Sequence, residues 1–123
     1  LERRRRLTDD NRFAAIIKQG KRWYNPLLGL KALPNPVGIT RYAFRVGKHI
    51  GNAVERNRLK RLMREASRSV AAREGWDMVF NARAGAKAGG FLQIRQAMED
   101  LLSRGRILEG KPGRVAPEER KEA

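Results

Sequence analysis

The residues best equipped for chemistry lie close together. Lys48, His49, Asn52, Arg56, Asn57, Arg58, Lys60, Arg61, Arg64 and Arg68 share one short stretch, and from Arg41 to Arg73 the chain carries ten Lys/Arg against two acids, Glu55 and Glu65. Such side chains hold polyanions. Eight of those ten cations are guanidinium groups, which can grip a phosphate with two hydrogen bonds and stack on a planar base. Hydrolysis by the protein itself needs other groups: a paired general acid and base, or carboxylates gathered on a metal. Asp77 is the one acid at a candidate strand end; Asp9 and Asp10 read as helix caps, and Glu55 and Glu65 sit among cations. With no cysteine and a single histidine, thiolate nucleophiles, disulfides and zinc sites are excluded. No residue is assigned a catalytic or metal-binding role.

The whole chain carries the same message. Its 123 residues hold 28 Lys+Arg against 13 Asp+Glu, a net charge of +15. A field of that sign draws in polyanions and releases their counterions on contact, and nucleic acid is the commonest such partner. An anionic membrane surface would require a helix with a broad apolar face left exposed. No apolar run approaches the roughly 20 residues that span a bilayer, and no signal peptide is visible. The expectation is a cytoplasmic protein with no membrane partner. At 41% hydrophobic and 33% charged, the composition is that of one globular domain.

The elements that must position the cationic stretch follow from patterning. Residues 1–7 form a basic arm, with Arg3 to Arg6 expected to be loose. Thr8-Asp9-Asp10-Asn11 supplies N-cap side chains for a helix with Phe13, Ile16 and Ile17 on one face, stopped at Gly20. Leu27 to Leu33 reads as a strand ended by Pro34-Asn35-Pro36. Thr40 to Val46 alternates, with Tyr42, Phe44 and Val46 on one side and Arg41 and Arg45 on the other, as a half-buried strand does. Gly47 to Gly51 is a loop that lets backbone approach a phosphate at a helix N-terminus. A long helix runs from Ala53 to Arg73, with Gly75 as its stop. Trp76 to Ala82 is a strand, and Gly85 to Gly90 is a flexible link without the spacing of a nucleotide loop. Phe91, Ile94, Met98, Leu101 and Leu102 mark a last helix. Residues 1–109 thus form a single domain, and 110–123 a disordered tail. The order α-β-β-α-β-α makes an α+β fold, a small α/β sandwich on a three- or four-stranded sheet.

On a helical wheel Leu59, Leu62, Met63, Ala66 and Val70 share one arc that can face the sheet, while Asn57, Arg61, Arg64 and Arg68 lie nearly opposite. A merely solvated face mixes charge signs for support between neighbouring turns. Here one sign dominates, so an anion is needed to relieve the repulsion. Two roles stay open for Asn57: its amide can reach a base edge or ribose hydroxyl, or pin the loop at Gly51-Asn52.

The run Lys48-x-x-Gly51-x-Ala53-Val54-x-Arg56-Asn57-Arg58-x-Lys60-Arg61-x-x-Arg64-Glu65 resembles the signature of the protein subunit of bacterial ribonuclease P. Arg6-Leu7, Phe13, Gly20-Lys21 and the strand Asp77 to Arg83 agree with it, and the similarity covers Arg3 to Leu102. The resemblance implies a sandwich like domain two of ribosomal protein S5, with a left-handed β-α-β crossover carrying the Arg-Asn-Arg helix. It implies two partners, the catalytic RNA of ribonuclease P and precursor tRNA, with one protein monomer per RNA. The RNA subunit cleaves the 5′ leader, using Mg²⁺ bound mainly by RNA and none bound by the protein alone. Lys48, His49, Asn52, Arg56, Asn57, Arg58, Lys60, Arg61, Arg64 and Arg68 are then expected at the catalytic RNA. Phe13, Ile17, Lys31, Tyr42, Phe44 and Arg45 are expected at the leader, in a cleft between the sheet and the first helix.

The chain departs from the family pattern in places. Gly47-Lys48-His49 stands where Ser-Lys-Lys is usual, Ile17 where a second aromatic is common, and Lys31 where a tyrosine is common. Three other readings compete: a protein nuclease acting alone, a ribosomal or other structural RNA binder, and a single-strand binder of the RRM type. The last needs an aromatic-rich central strand, of which Tyr42-Ala43-Phe44-Arg45-Val46 is a faint echo.

Overall fold

A computed structural model describes residues 3–109, so the tail expected at 110–123 lies outside the described residues. Helix α1 spans Asp10–Gln19. Its N-cap is Asp9, whose carboxylate accepts the Asn11 and Arg12 N–H groups at 2.8 and 3.3 Å, satisfying two of the donors a helix start leaves over. Strands β1 (Lys21–Tyr24) and β2 (Leu28–Pro34) form an antiparallel hairpin. Asn25 closes it by accepting the Leu27 and Leu28 N–H groups. Strand β3 is Arg41–Arg45, helix α2 Ala53–Ser69, strand β4 Trp76–Ala82 and helix α3 Phe91–Arg104.

The sheet order is β1-β2-β4-β3, with β3 parallel to β4 and the other neighbours antiparallel. A parallel pair needs a crossover, and α2 provides it. Strand alternation then sorts the side chains. Leu28, Leu30, Ala32, Tyr42, Met78, Phe80 and Ala82 face α2 and α3 and form the main core with Leu59, Met63, Ala66, Ile94, Met98, Leu101 and Leu102. The opposite face is covered by α1 over part of its area: Ile16 and Phe13 pack with Leu33, Ala43, Val79 and Leu7. Among the described residues, no helix is long and apolar enough to cross a membrane.

Four expectations need correction. The order α-β-β-α-β-α holds, but an extra strand, β1, precedes the two expected. The sequence Lys-Arg-Trp-Tyr is too short and too charged to signal it; Trp23, packed on the core, anchors it. The arm is not loose from Arg3 to Arg6. Residues Arg3–Arg5 form a 3-10 turn, Arg6 pairs with Tyr42, Leu7 is buried and donates its N–H to the Tyr42 carbonyl, and Arg5 pairs with Glu74 through both guanidinium nitrogens. The link from Gly85 to Gly90 contains a 3-10 turn at Ala84–Ala88 with Ala86 fully buried. Finally, α2 ends at Ser69 rather than Arg73. From there the chain is extended, Ala72 bridging to Leu108 and the Arg73 N–H reaching the Ile107 carbonyl.

Candidate nucleic-acid interface

The N-terminus of α2 is built by a capping box. Asn52 accepts the Glu55 N–H and the Glu55 carboxylate accepts the Asn52 N–H, both at 2.9 Å. Asn52, expected at the RNA, therefore spends its side-chain oxygen on the helix. The Arg56 guanidinium donates to the Gly51 carbonyl at 2.8 Å, and Arg58 donates to the Gly89 carbonyl at 2.9 Å. These two half-buried arginines brace the flanking loops. Of the two roles left open for Asn57, pinning the Gly51-Asn52 loop falls to Arg56 and Glu55 instead. Asn57 is exposed, and no side-chain hydrogen bond of it occurs among the described residues.

Along the outer face of α2, Asn57, Arg61, Arg64 and Arg68 are exposed in one stripe, with Lys60 half-buried beside it. Glu65 offers Arg68 only a long contact at 4.0 Å. Lys48 and His49 are exposed in a 3-10 turn just ahead of the helix. A hollow lined by Phe44, Arg45, Val46, Gly47, His49, Lys60 and Asn81 connects this basic face to the end of the sheet.

The residues expected at the leader divide between the two sides of the sheet. Phe13, Ile17, Lys31 and Arg45 belong to the α1 side: the Arg45 guanidinium lies 5.4 Å from the Phe13 ring centroid, and Ile17 is 41% exposed. Tyr42 and Phe44 point to the other side, where they stack with Phe80 at centroid distances of 5.8 to 6.5 Å. Tyr42 is buried there, and burial pushes its phenol up to about 12. It cannot share a cleft with Phe13. Phe44, half-buried, borders the hollow near His49 rather than the α1 cleft.

The acids are engaged elsewhere. Asp77 is fully buried and accepts from Arg12, Arg41 and Asn35, each at 2.8 Å or, for the second Arg41 nitrogen, again 2.8 Å. Burial pushes its carboxyl up, but the hydrogen bonds from Arg41, Asn35 and Arg12 together outweigh it and hold the group below the usual carboxylate value. Glu74 is drawn down to about 2 by the Arg5 guanidinium and the Thr40 N–H. Among the described residues, no three His, Asp or Glu side chains gather as a metal site would require.

A family model described as ribonuclease P matches residues 1–106. The chain belongs to the ribonuclease P protein family. It is 38% identical over 103 residues to the ribonuclease P protein component of Dehalococcoides mccartyi strain CBDB1, covering 84% of this chain and 86% of that one. Against the corresponding protein of Herpetosiphon aurantiacus it is 38% identical over 109 residues, covering 87% and 89%. Among solved structures, a Staphylococcus aureus RNase P protein variant superposes with a TM-score of 0.79 at 28% identity, covering 87% of this chain and 92% of that one. The Thermotoga maritima RNase P protein gives 0.72 at 29% identity, covering 85% and 98%.

Within this ribonuclease P fold, sequence reasoning missed two residues on the α1 side. Tyr24 is 64% exposed, and the Arg83 guanidinium lies 4.7 Å from its ring centroid. The signal was available in part: once Lys21 to Tyr24 is a strand paired with β2, Tyr24 must share a face with Lys31.

Proposed function

We propose that this chain is the protein component of a ribonuclease P ribonucleoprotein that removes the 5′ leader from precursor tRNA. The exposed stripe Asn57, Arg61, Arg64 and Arg68, with Lys48, His49 and Lys60, binds the catalytic RNA. The α1 side of the sheet, with Phe13, Ile17, Lys31 and Arg45, receives the single-stranded leader. The RNA subunit carries the chemistry and holds most of the Mg²⁺; the protein serves as one monomer per RNA. The observation that carries this reading is the single-signed stripe on α2, its two flanking arginines locked onto loop carbonyls and its remaining cations left facing outwards.

The acids support the division of labour. A protein nuclease acting alone needs a free general base or a carboxylate cluster. Asp77, the acid best placed by sequence, is instead saturated by two guanidinium groups and an amide. Tyr42, Phe44 and Phe80 stack on one another on the face that α2 and α3 cover, with only Phe44 partly exposed, so the open aromatic sheet surface of an RRM-type binder is not formed.

The test is reconstitution with the ribonuclease P RNA of the same bacterium. The expected result is that protein plus RNA cleaves precursor tRNA at the mature 5′ end at Mg²⁺ concentrations where RNA alone is slow, and that protein alone does not cleave. Cleavage by the protein alone, or tight binding only to ribosomal RNA, would overturn the assignment.

A further inference from the structure

The register of the sheet places four residues in one row on the α1 side. Arg45 pairs with Asn81, Asn81 with Gly29, and Gly29 with Tyr24. The row crosses all four strands, three inter-strand steps or about 14 Å. Helix α1 packs on Leu33, Val79 and Ala43, which belong to the neighbouring rows. At Gly29 a side chain would meet nothing within 4 Å, so the middle of the row opens on free space. Asn81 is half-buried, and no side-chain hydrogen bond of it occurs among the described residues. Each end of the row carries a cation against an aromatic ring: Arg45 on Phe13 at one end, Arg83 on Tyr24 at the other.

From this geometry we propose that Tyr24, backed by Arg83, is a second base-stacking platform for the precursor tRNA leader, at the edge of the sheet remote from Phe13. The inference rests on the reading of the α1 side as the leader site. Tyr24 is the most exposed of the large hydrophobic side chains outside Val54, and an aromatic ring with a guanidinium on it suits a base beside a phosphate. Arg22, Lys31 and Arg83 surround it, so the backbone of a strand reaching Tyr24 stays among cations. A span of about 14 Å corresponds to roughly four stacked nucleotides at 3.4 Å each, fewer if the strand is extended.

The experiment measures affinity of the reconstituted holoenzyme for precursor tRNAs with leaders of one to ten nucleotides. Wild type, Tyr24→Ala, Tyr24→Phe and Phe13→Ala are compared, with thermal unfolding of each protein. In wild type, affinity should rise with leader length in two stages. Tyr24→Ala should abolish the later stage, a loss of roughly five-fold or more, and Tyr24→Phe should restore it. If Tyr24→Ala keeps both stages while Phe13→Ala removes the first, the platform is refuted and the leader site stands. Should leader length have no effect on wild type, or Phe13→Ala and Tyr24→Ala both leave it intact, the leader site itself is refuted and the platform with it. Loss of the later stage in Tyr24→Phe as well would assign the effect to the hydroxyl and overturn stacking.

Discussion

Arg12, on helix α1, donates its Nε–H to Asp77 of strand β4 at 2.8 Å, a bond across the gap between the helix and the sheet. A second Arg12 nitrogen reaches the Pro34 carbonyl at 3.1 Å. The residue next to Arg12 is Phe13, so this clamp sets where the Phe13 ring stands over β3. Asp77 is also held by Arg41 and Asn35, which ties α1, β3, β4 and the turn after β2 to one carboxylate.

Removing Asp77 should therefore cost more than removing either arginine. Asp77→Ala leaves two guanidinium groups and an amide without their acceptor, and breaking a buried ion pair costs about 3 kcal/mol. Arg12→Ala leaves the carboxylate with Arg41 and Asn35 and should cost less than half of that. Urea unfolding of both variants checks the ranking. Equal losses would overturn the ranking, and wild-type stability in both variants would mean that the clamp contributes nothing.

The same carboxylate makes stability depend on acid. Its native value lies below the unfolded one, so its contribution is complete above about pH 4 and is lost as pH falls through the native value. Glu74, drawn down to about 2, acts in the same sense. Thermal midpoints measured from pH 7 to pH 2 should fall steeply below pH 4 in the wild type. In Asp77→Asn they should start lower and fall less. Parallel curves would show that Asp77 does not carry this dependence.

Leu62 and Met63, two of the candidate core residues of α2, should part company. Met63 is fully buried, whereas Leu62 is only partly buried at the edge of the core. Met63→Ala should cost roughly 2–5 kcal/mol, and Leu62→Ala under about 1.5 kcal/mol. Unfolding of the two variants side by side decides it; a larger loss for Leu62 would reverse the assigned faces of the helix.

Much of this was legible in the sequence. The apolar arc of α2, the alternation of β3 and the cap at Asp9 are local patterns, and local patterns fix which face a side chain takes. Long-range pairings are not local. That Asn25 would close a hairpin, that Arg5 would meet Glu74 across 69 residues, and that Tyr42 would face away from Phe13 depend on strand order and register. Charge gave the basic stretch but not its division of labour. On the helical wheel Arg56 and Arg58 flank the boundaries of the face that holds Arg61 and Arg64, but only the positions of Gly51 and Gly89 make them braces.

The central claim is that the outward stripe of α2 meets RNA phosphates, and salt dependence tests it most directly. The affinity of the protein for its catalytic RNA should be measured from 50 to 500 mM monovalent salt for wild type and for Arg61→Ala/Arg64→Ala. Each lost phosphate contact lowers the log–log slope by roughly 0.7–0.9, so the double variant should be flatter by about 1.4–1.8 while keeping the wild-type unfolding midpoint. An unchanged slope in a fully folded double variant would contradict the account.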